Sequence, residues 1–198
     1  MPRDQSPDRD ELPAGIRDLG LRLREDLARL RLKWIYYREL FGSRESARLL
    51  DDTARACFQM VEESVRHDIL LSLCRLSDPS RTLGGDHPSF ATLVAHCRDV
   101  PRVEDLLTAF QAACGPVRRY RHRDLGHNDP DATITPREHL LPDVDPSRIE
   151  EIFQLAGGIL RAVFAHGSAG DPPFESAHAG SAADLIHWLK MACARPGR

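Results

Sequence analysis

The chain has 198 residues, 29% charged and 41% hydrophobic, with a formal net charge of −3. That length suits one soluble globular domain with a real core, and the near-neutral balance excludes a global basic field for nucleic acid; any RNA contact must rest on a local patch. No run of about 18 apolar residues occurs and the first residues are polar and acidic, so we expect no helical membrane span, no secretion signal and a cytoplasmic protein.

Residues 1–11 are charged and carry prolines, and read as a disordered lead-in. From Ile16 the apolar residues recur at steps of three or four, through Leu19, Leu23, Leu27, Leu30, Trp34 and Tyr37 to Phe41. This is the pattern of a long amphipathic helix ended by Gly42. Ser43 can cap a second helix, with Glu45 in its positive first turn. That helix carries Ala47, Leu50, Ala54, Phe58, Val61, Val65 and Ile69, and runs to about Leu76. Its last part, Ile69 to Leu73, is apolar nearly all round and is expected in the core. Asp78-Pro79 stops it, because proline lacks the backbone donor and clashes with the preceding turn.

Residues 77–89 read as a loop, and Ser89 caps a short helix to about Cys97. Pro101 opens another helix through Leu106, Leu107, Phe110 and Ala113. Gly115 breaks it, and Pro116 begins a helix that holds the polar stretch 120–129. Pro130 and Pro136 make residues 129–146 irregular, though residues 132–135 can pair as a short strand. Asp145-Pro146 caps a helix through Ile149, Ile152, Phe153, Ala156, Ile159, Leu160 and Val163. Within it, Gly157-Gly158 marks close helix packing or a kink. Residues 167–180 are a Gly/Pro/Ala/Ser linker, and Ser181 with Asp184 resembles a capping box for a last helix through Trp188 and Leu189. The expected fold class is an all-α helical bundle, with two long N-terminal helices and several shorter ones.

Five cysteines, Cys57, Cys74, Cys97, Cys114 and Cys193, form no CxxC pair, and four of them sit in apolar helical patterns. They read as reduced core thiols rather than a zinc site. Glu62, Glu63, His67 and Asp68 share helical spacing but form no Glu-x-x-His motif among themselves, so a solvated face is the better reading and no metal site is assigned. Gly84-Gly85 and Gly157-Gly158 lack the pattern of a phosphate loop. Trp34, Tyr36 and Tyr37 read as core or dimer interface rather than a base-stacking platform.

The chemistry-bearing stretch is Tyr120-Arg121-His122-Arg123-Asp124-Leu125-Gly126-His127-Asn128-Asp129. An arginine offers a fixed bidentate charge for a phosphate, and a histidine can carry a proton near neutral pH. The bland alternative is a wet helix end, with Arg118, Arg119, Arg121 and Arg123 as surface charges and residues 127–129 as a cap and turn.

Three blocks together carry a family resemblance: residues 34–41 (WIYYRELF), residues 71–79 (LSLCRLSDP), and Tyr120-Arg121-His122-Arg123 with Gly126-His127-Asn128-Asp129. The chain resembles the AbiU branch of the HEPN superfamily, all-helical domains found among phage abortive-infection proteins, over about residues 16–165. Arg121 matches the family arginine, His122 the polar position after it and His127 the histidine, with five residues between Arg121 and His127. The chain departs from the usual AbiU pattern in having His122 where Asn is common and Gly126 where Ala is common. Gly126 loosens a helix by about 1 kcal/mol relative to Ala.

The resemblance implies metal-independent cleavage of RNA without a cofactor, at a site assembled across a homodimer, in a toxin-like defence protein with an antitoxin partner. Arg121 and His127 would be catalytic, with His122, Arg123, Asn128 and Asp129 supporting and Arg75 and Asp78 shaping the site. The alternative is a non-catalytic helical binding or scaffold protein of the same fold. On a regular helix six residues mean about 9 Å of rise and about 120° of rotation, so Arg121 and His127 of one chain face apart, whereas Arg123 and His127 share a face. Either two chains complete each other's sites, or Arg123 is the working arginine. Exposed aromatics near Trp34 would add a reason for a homodimer. The expected division is a lead-in at 1–11, a HEPN-like helical domain at 12–166, a linker at 167–180 and a C-terminal helix at 181–193 packing on that domain.

Overall fold

The computed structural model describes residues 12–79, 81–82, 85–86, 88–121, 145–166 and 181–193. Among them the chain forms seven α-helices and one minimal β-pair. They are α1 (Ala14–Phe41), α2 (Arg44–Ser77), β1 (Arg81–Thr82), β2 (Gly85–Asp86), α3 (Phe90–Ala95), α4 (Val103–Ala113), α5 (Gly115–Tyr120), α6 (Pro146–His166) and α7 (Ala182–Cys193). Strands β1 and β2 are two residues each and pair antiparallel, Arg81 opposite Asp86. The protein is all-α, as its periodicity demands. None of the described helices is long and apolar enough to cross a membrane.

The helix boundaries follow the capping chemistry. Gly42 closes α1 by donating to the Arg38 carbonyl at 2.9 Å. A β-carbon at Gly42 would collide with that same carbonyl, so the turn needs glycine. Ser43 Oγ accepts from the Ser46 backbone N–H at 3.0 Å and caps α2. Ser89 Oγ accepts from Thr92 N–H at 3.2 Å and caps α3. Asp145 Oδ1 accepts from Ser147 N–H at 3.0 Å and caps α6. The Ser147 hydroxyl and backbone N–H hold the Asp145 carboxyl below the usual aspartate range. Asp184 Oδ2 reaches back to the Ser181 N–H at 3.0 Å, which is the returning half of a capping box on α7. Pro101 does not open α4 directly. Arg102 takes a left-handed conformation, φ 64°, and turns the chain so that the helix starts at Val103.

The chain divides into two compact units. The first comprises residues 1–27 and 73–173. Its core gathers Leu23 and Leu27 of α1, Leu73 and Leu76 of α2, Phe90 and Leu93 of α3, Phe110 of α4, and the apolar face of α6. Helix α4 packs along α6, and a β-carbon at Gly158 would lie 3.6 Å from Leu106, an ordinary contact that does not require glycine there. Phe90 and Phe110 meet edge to face with ring centroids 5.1 Å apart. At Gly20 the backbone comes so near the Phe164 ring that a β-carbon would sit 3.0 Å from it.

The second unit comprises residues 28–72 and 174–198. Trp34 is 5% and Tyr37 3% exposed, their rings stacked at 5.8 Å, so these aromatics are core and need no second chain to cover them. That removes one of the two sequence-level arguments for a homodimer. Lys33 pairs with Asp68 at 2.6 Å, and the Tyr37 hydroxyl donates to Glu62 at 3.4 Å, which fits a solvated or half-buried face for this acidic stretch. Lys190 of α7 pairs with Glu45, and the Ala183 N–H donates to Glu39 at 3.2 Å. Only Ile186 of α7 is buried, and Trp188 is 68% exposed rather than packed.

Two further expectations fail. The periodicity of α2 reads as unbroken, yet Ala54 leaves the helical region (φ −158°, ψ 67°) and the helix kinks. Residues 52–57 are exposed, so no packing straightens them. The Thr53 hydroxyl also donates to the Leu49 carbonyl four residues back at 2.7 Å, a bond that bends helices. The apolar run 69–73 is also not buried all round. Ile69, Leu70 and Leu73 are, while Leu71 is exposed.

Candidate functional site

The described part of the site lies within the first unit, where α5 meets the end of α2. Helix α5 is only six residues long, far too short to be stable by propensity. Its place is set from outside. Cys114, fully buried, ends α4 and begins α5, its N–H donating to the Phe110 carbonyl at 3.0 Å. Pro116 supplies a preset φ in the first turn, and Val117 is fully buried. With Val117 in the core, Arg118 and Arg121, three apart on one face, point at the last turn of α2, while Arg119 is exposed.

Arg118 is half-buried. Its Nε donates to Ser77 Oγ at 3.2 Å and its Nη2 to the Ser77 carbonyl. Ser77 is fully buried and its hydroxyl donates to the Cys74 carbonyl at 3.0 Å. The guanidinium thus satisfies a carbonyl that the end of α2 would otherwise leave orphaned, and places positive charge at a helix C-terminus, where the dipole favours it. One turn on, Arg121 Nη1 stands 3.7 Å from Asp78 Oδ2, with the two side chains 30% and 25% exposed. At that distance the two are an ion pair and not a hydrogen bond.

Arg118 reads as a surface charge in the sequence, and the structure instead places it at this junction, bonded to Ser77. No signal within α5 marks it, because its partner Ser77 is the last residue of a different helix. Arg75, by contrast, is exposed, and Asp78 pairs across to Arg121. His122, Arg123, His127, Asn128 and Asp129 lie outside the described residues, as do residues 132–135, the lead-in and the 167–180 linker. Among the described residues no group of three or more His, Cys, Asp or Glu could hold a metal ion.

Two thiols line the same junction. Burial pushes the Cys114 thiol up to about 12, although a hydrogen bond with Ser77 and the charge of Arg118 pull the other way. Burial also raises Cys74, against the opposing charge of Arg121. Both therefore stay protonated and are poor nucleophiles. Cys97 is raised by burial too, whereas Cys57 and Cys193 are exposed and are not core thiols. A thiol reagent applied to the native protein should modify Cys57 and Cys193 only, with Cys74, Cys97 and Cys114 reacting after denaturation, as peptide mass spectrometry would show. Rapid native labelling of Cys74 or Cys114 would contradict the packing described.

A family model described as AbiU2, of the HEPN type, matches residues 16–183, well over half of the chain. No curated protein and no solved structure matches it.

Proposed function

The chain belongs to the HEPN AbiU2 family, and we propose that it is a metal-independent RNA endonuclease of phage defence. Arg121 and His127 act at a cleft completed by a homodimer. The observation that carries this reading is an arginine that is held yet open to water. Arg121 is 30% exposed, and its 3.7 Å ion pair with Asp78 does not itself spend an N–H donor. A guanidinium so placed can still offer its fork to a phosphate.

The chemistry follows from the residue types. The ribose 2′-hydroxyl attacks the adjacent phosphorus, and the bond to the 5′ oxygen of the next nucleotide breaks. A histidine takes the 2′ proton or returns one to the leaving oxygen. Arg121 neutralises charge on the phosphate as it develops. The product is a 2′,3′-cyclic phosphate, and DNA, which lacks the nucleophile, is not cut. His122, Arg123, Asn128 and Asp129 support this centre. An antitoxin partner restrains it in the uninfected cell.

A second reading is a non-catalytic HEPN-fold binding or scaffold protein. It is favoured by one observation: Arg121 already has an acidic partner in its own chain, as a structural arginine would. One experiment separates the two. The purified protein, with its mass measured by light scattering, is incubated with single-stranded RNA in EDTA and the termini are analysed. Cleavage with 2′,3′-cyclic ends by a dimer is the expected result. Intact RNA at every protein concentration would leave the binding reading in place.

A further inference from the structure

Ser77, the last residue of α2, and Asp78 after it meet Arg118 of α5 and Arg121 just past its end: Ser77 takes Arg118, and Asp78 takes Arg121. The first contact is a two-point clamp, with Arg118 bonding both the hydroxyl and the carbonyl of a fully buried serine. The second is looser and more exposed. We propose that Arg118 is a positioning residue, whose clamp on Ser77 sets the register of α5 on α2 and so fixes where Asp78 holds the guanidinium of Arg121 for RNA. This rests on the RNA reading above.

A six-residue helix cannot hold its own geometry, and a displacement of about 1 Å at a phosphate-binding group is enough to cost substantial rate or affinity. The α2–α5 register therefore has to come from a contact that tolerates little slack. A guanidinium locked at two nitrogens on one residue has that property, and a single-point lysine does not. The Asp78 pair alone lacks it, because a 3.7 Å ion pair between side chains a quarter to a third exposed leaves angular freedom.

The test is a double-mutant cycle read by binding, so that it is separate from turnover. A fluorescein-labelled 2′-O-methyl RNA single strand, which cannot be cut, is titrated with wild type, Arg118→Met, Arg121→Ala and the double variant, and anisotropy reports Kd. Arg118→Met should weaken Kd about tenfold, the scale of one charge-assisted contact, and cost nothing further once Arg121 is Ala. Arg118→Lys should recover only part of the loss. A structural role alone would weaken both backgrounds equally, and that result, or no loss in either, overturns the proposal. Should Arg118→Met not fold, Asp78→Asn takes its place: its change in Kd must vanish in the Arg121→Ala background, and an additive change overturns the proposal. Wild type that neither binds the probe nor cuts RNA removes the RNA reading and the proposal with it. Wild type that binds while the cycle is additive removes the proposal alone.

Discussion

RNA cleavage by the His127→Ala protein should fall about 100- to 10,000-fold below wild type, the usual contribution of one general acid or base. Arg121→Ala should cost about 100- to 1000-fold, the range seen when one donor to a developing oxyanion is removed. Arg121→Lys should rescue little. Lysine keeps the charge but loses the planar fork, and its point charge can neither span two phosphate oxygens nor keep the Asp78 geometry. These losses should appear without unfolding. Arg121 is partly exposed and its pair with Asp78 is solvent-screened, so the pair contributes at most about 1 kcal/mol to stability. Circular dichroism and the melting temperature should therefore stay near wild type. Toxicity on expression should disappear in step with activity. Equal RNA turnover by wild type and His127→Ala, with equal effects on growth, would sink the nuclease assignment.

The largest stability effect is expected at Phe110. Its ring is fully buried, meets Phe90 of α3 edge to face, and lies on the helix that packs along α6. Phe110→Ala should cost about 3–5 kcal/mol, the sum of lost transfer energy and the cavity left behind. That is a large share of a typical domain stability of about 5–15 kcal/mol. Urea unfolding should show a lower midpoint at an unchanged slope, and Phe110→Leu should cost clearly less. The effect should reach the site as well. The Phe110 carbonyl accepts the Cys114 N–H at the junction where α4 becomes α5, so a relaxed α4 shifts the base on which Arg118 and Arg121 stand. A loss under about 1 kcal/mol would mean that α3, α4 and α6 do not share the core described.

Much of the fold is legible in the chain because its signals are local. Ser43, Ser89, Asp145 and Asp184 announce helix starts by side-chain bonds spanning two or three residues, and all four make them. Gly42 announces a helix end for the same reason, since only a residue without a β-carbon fits beside the Arg38 carbonyl. The kink at Ala54 is not legible from apolar periodicity. That pattern reports which face would be buried, and residues 52–57 are exposed on every face.

Burial is legible only on average. The apolar stripe leaves Trp34 and Tyr37 as core or as an exposed patch awaiting a partner chain, and the structure buries both. The same kind of pattern counts Cys57 and Cys193 among core thiols, and both are exposed. An aromatic or a thiol on an apolar stripe carries no mark of whether another helix covers it.

By itself, then, the sequence determined the described helices, their caps and the all-α class, because each depends on residues a few positions apart. Only the tertiary structure decided what Arg118 and Arg121 do on the described side of the site. Their partners Ser77 and Asp78 lie 41 and 43 residues earlier in the chain. Which of the nearby arginines enters a clamp and which stays in water depends on where Val117 is buried and how α4 hands over to α5. No spacing rule within α5 encodes that, because the acceptor is the last turn of a different helix.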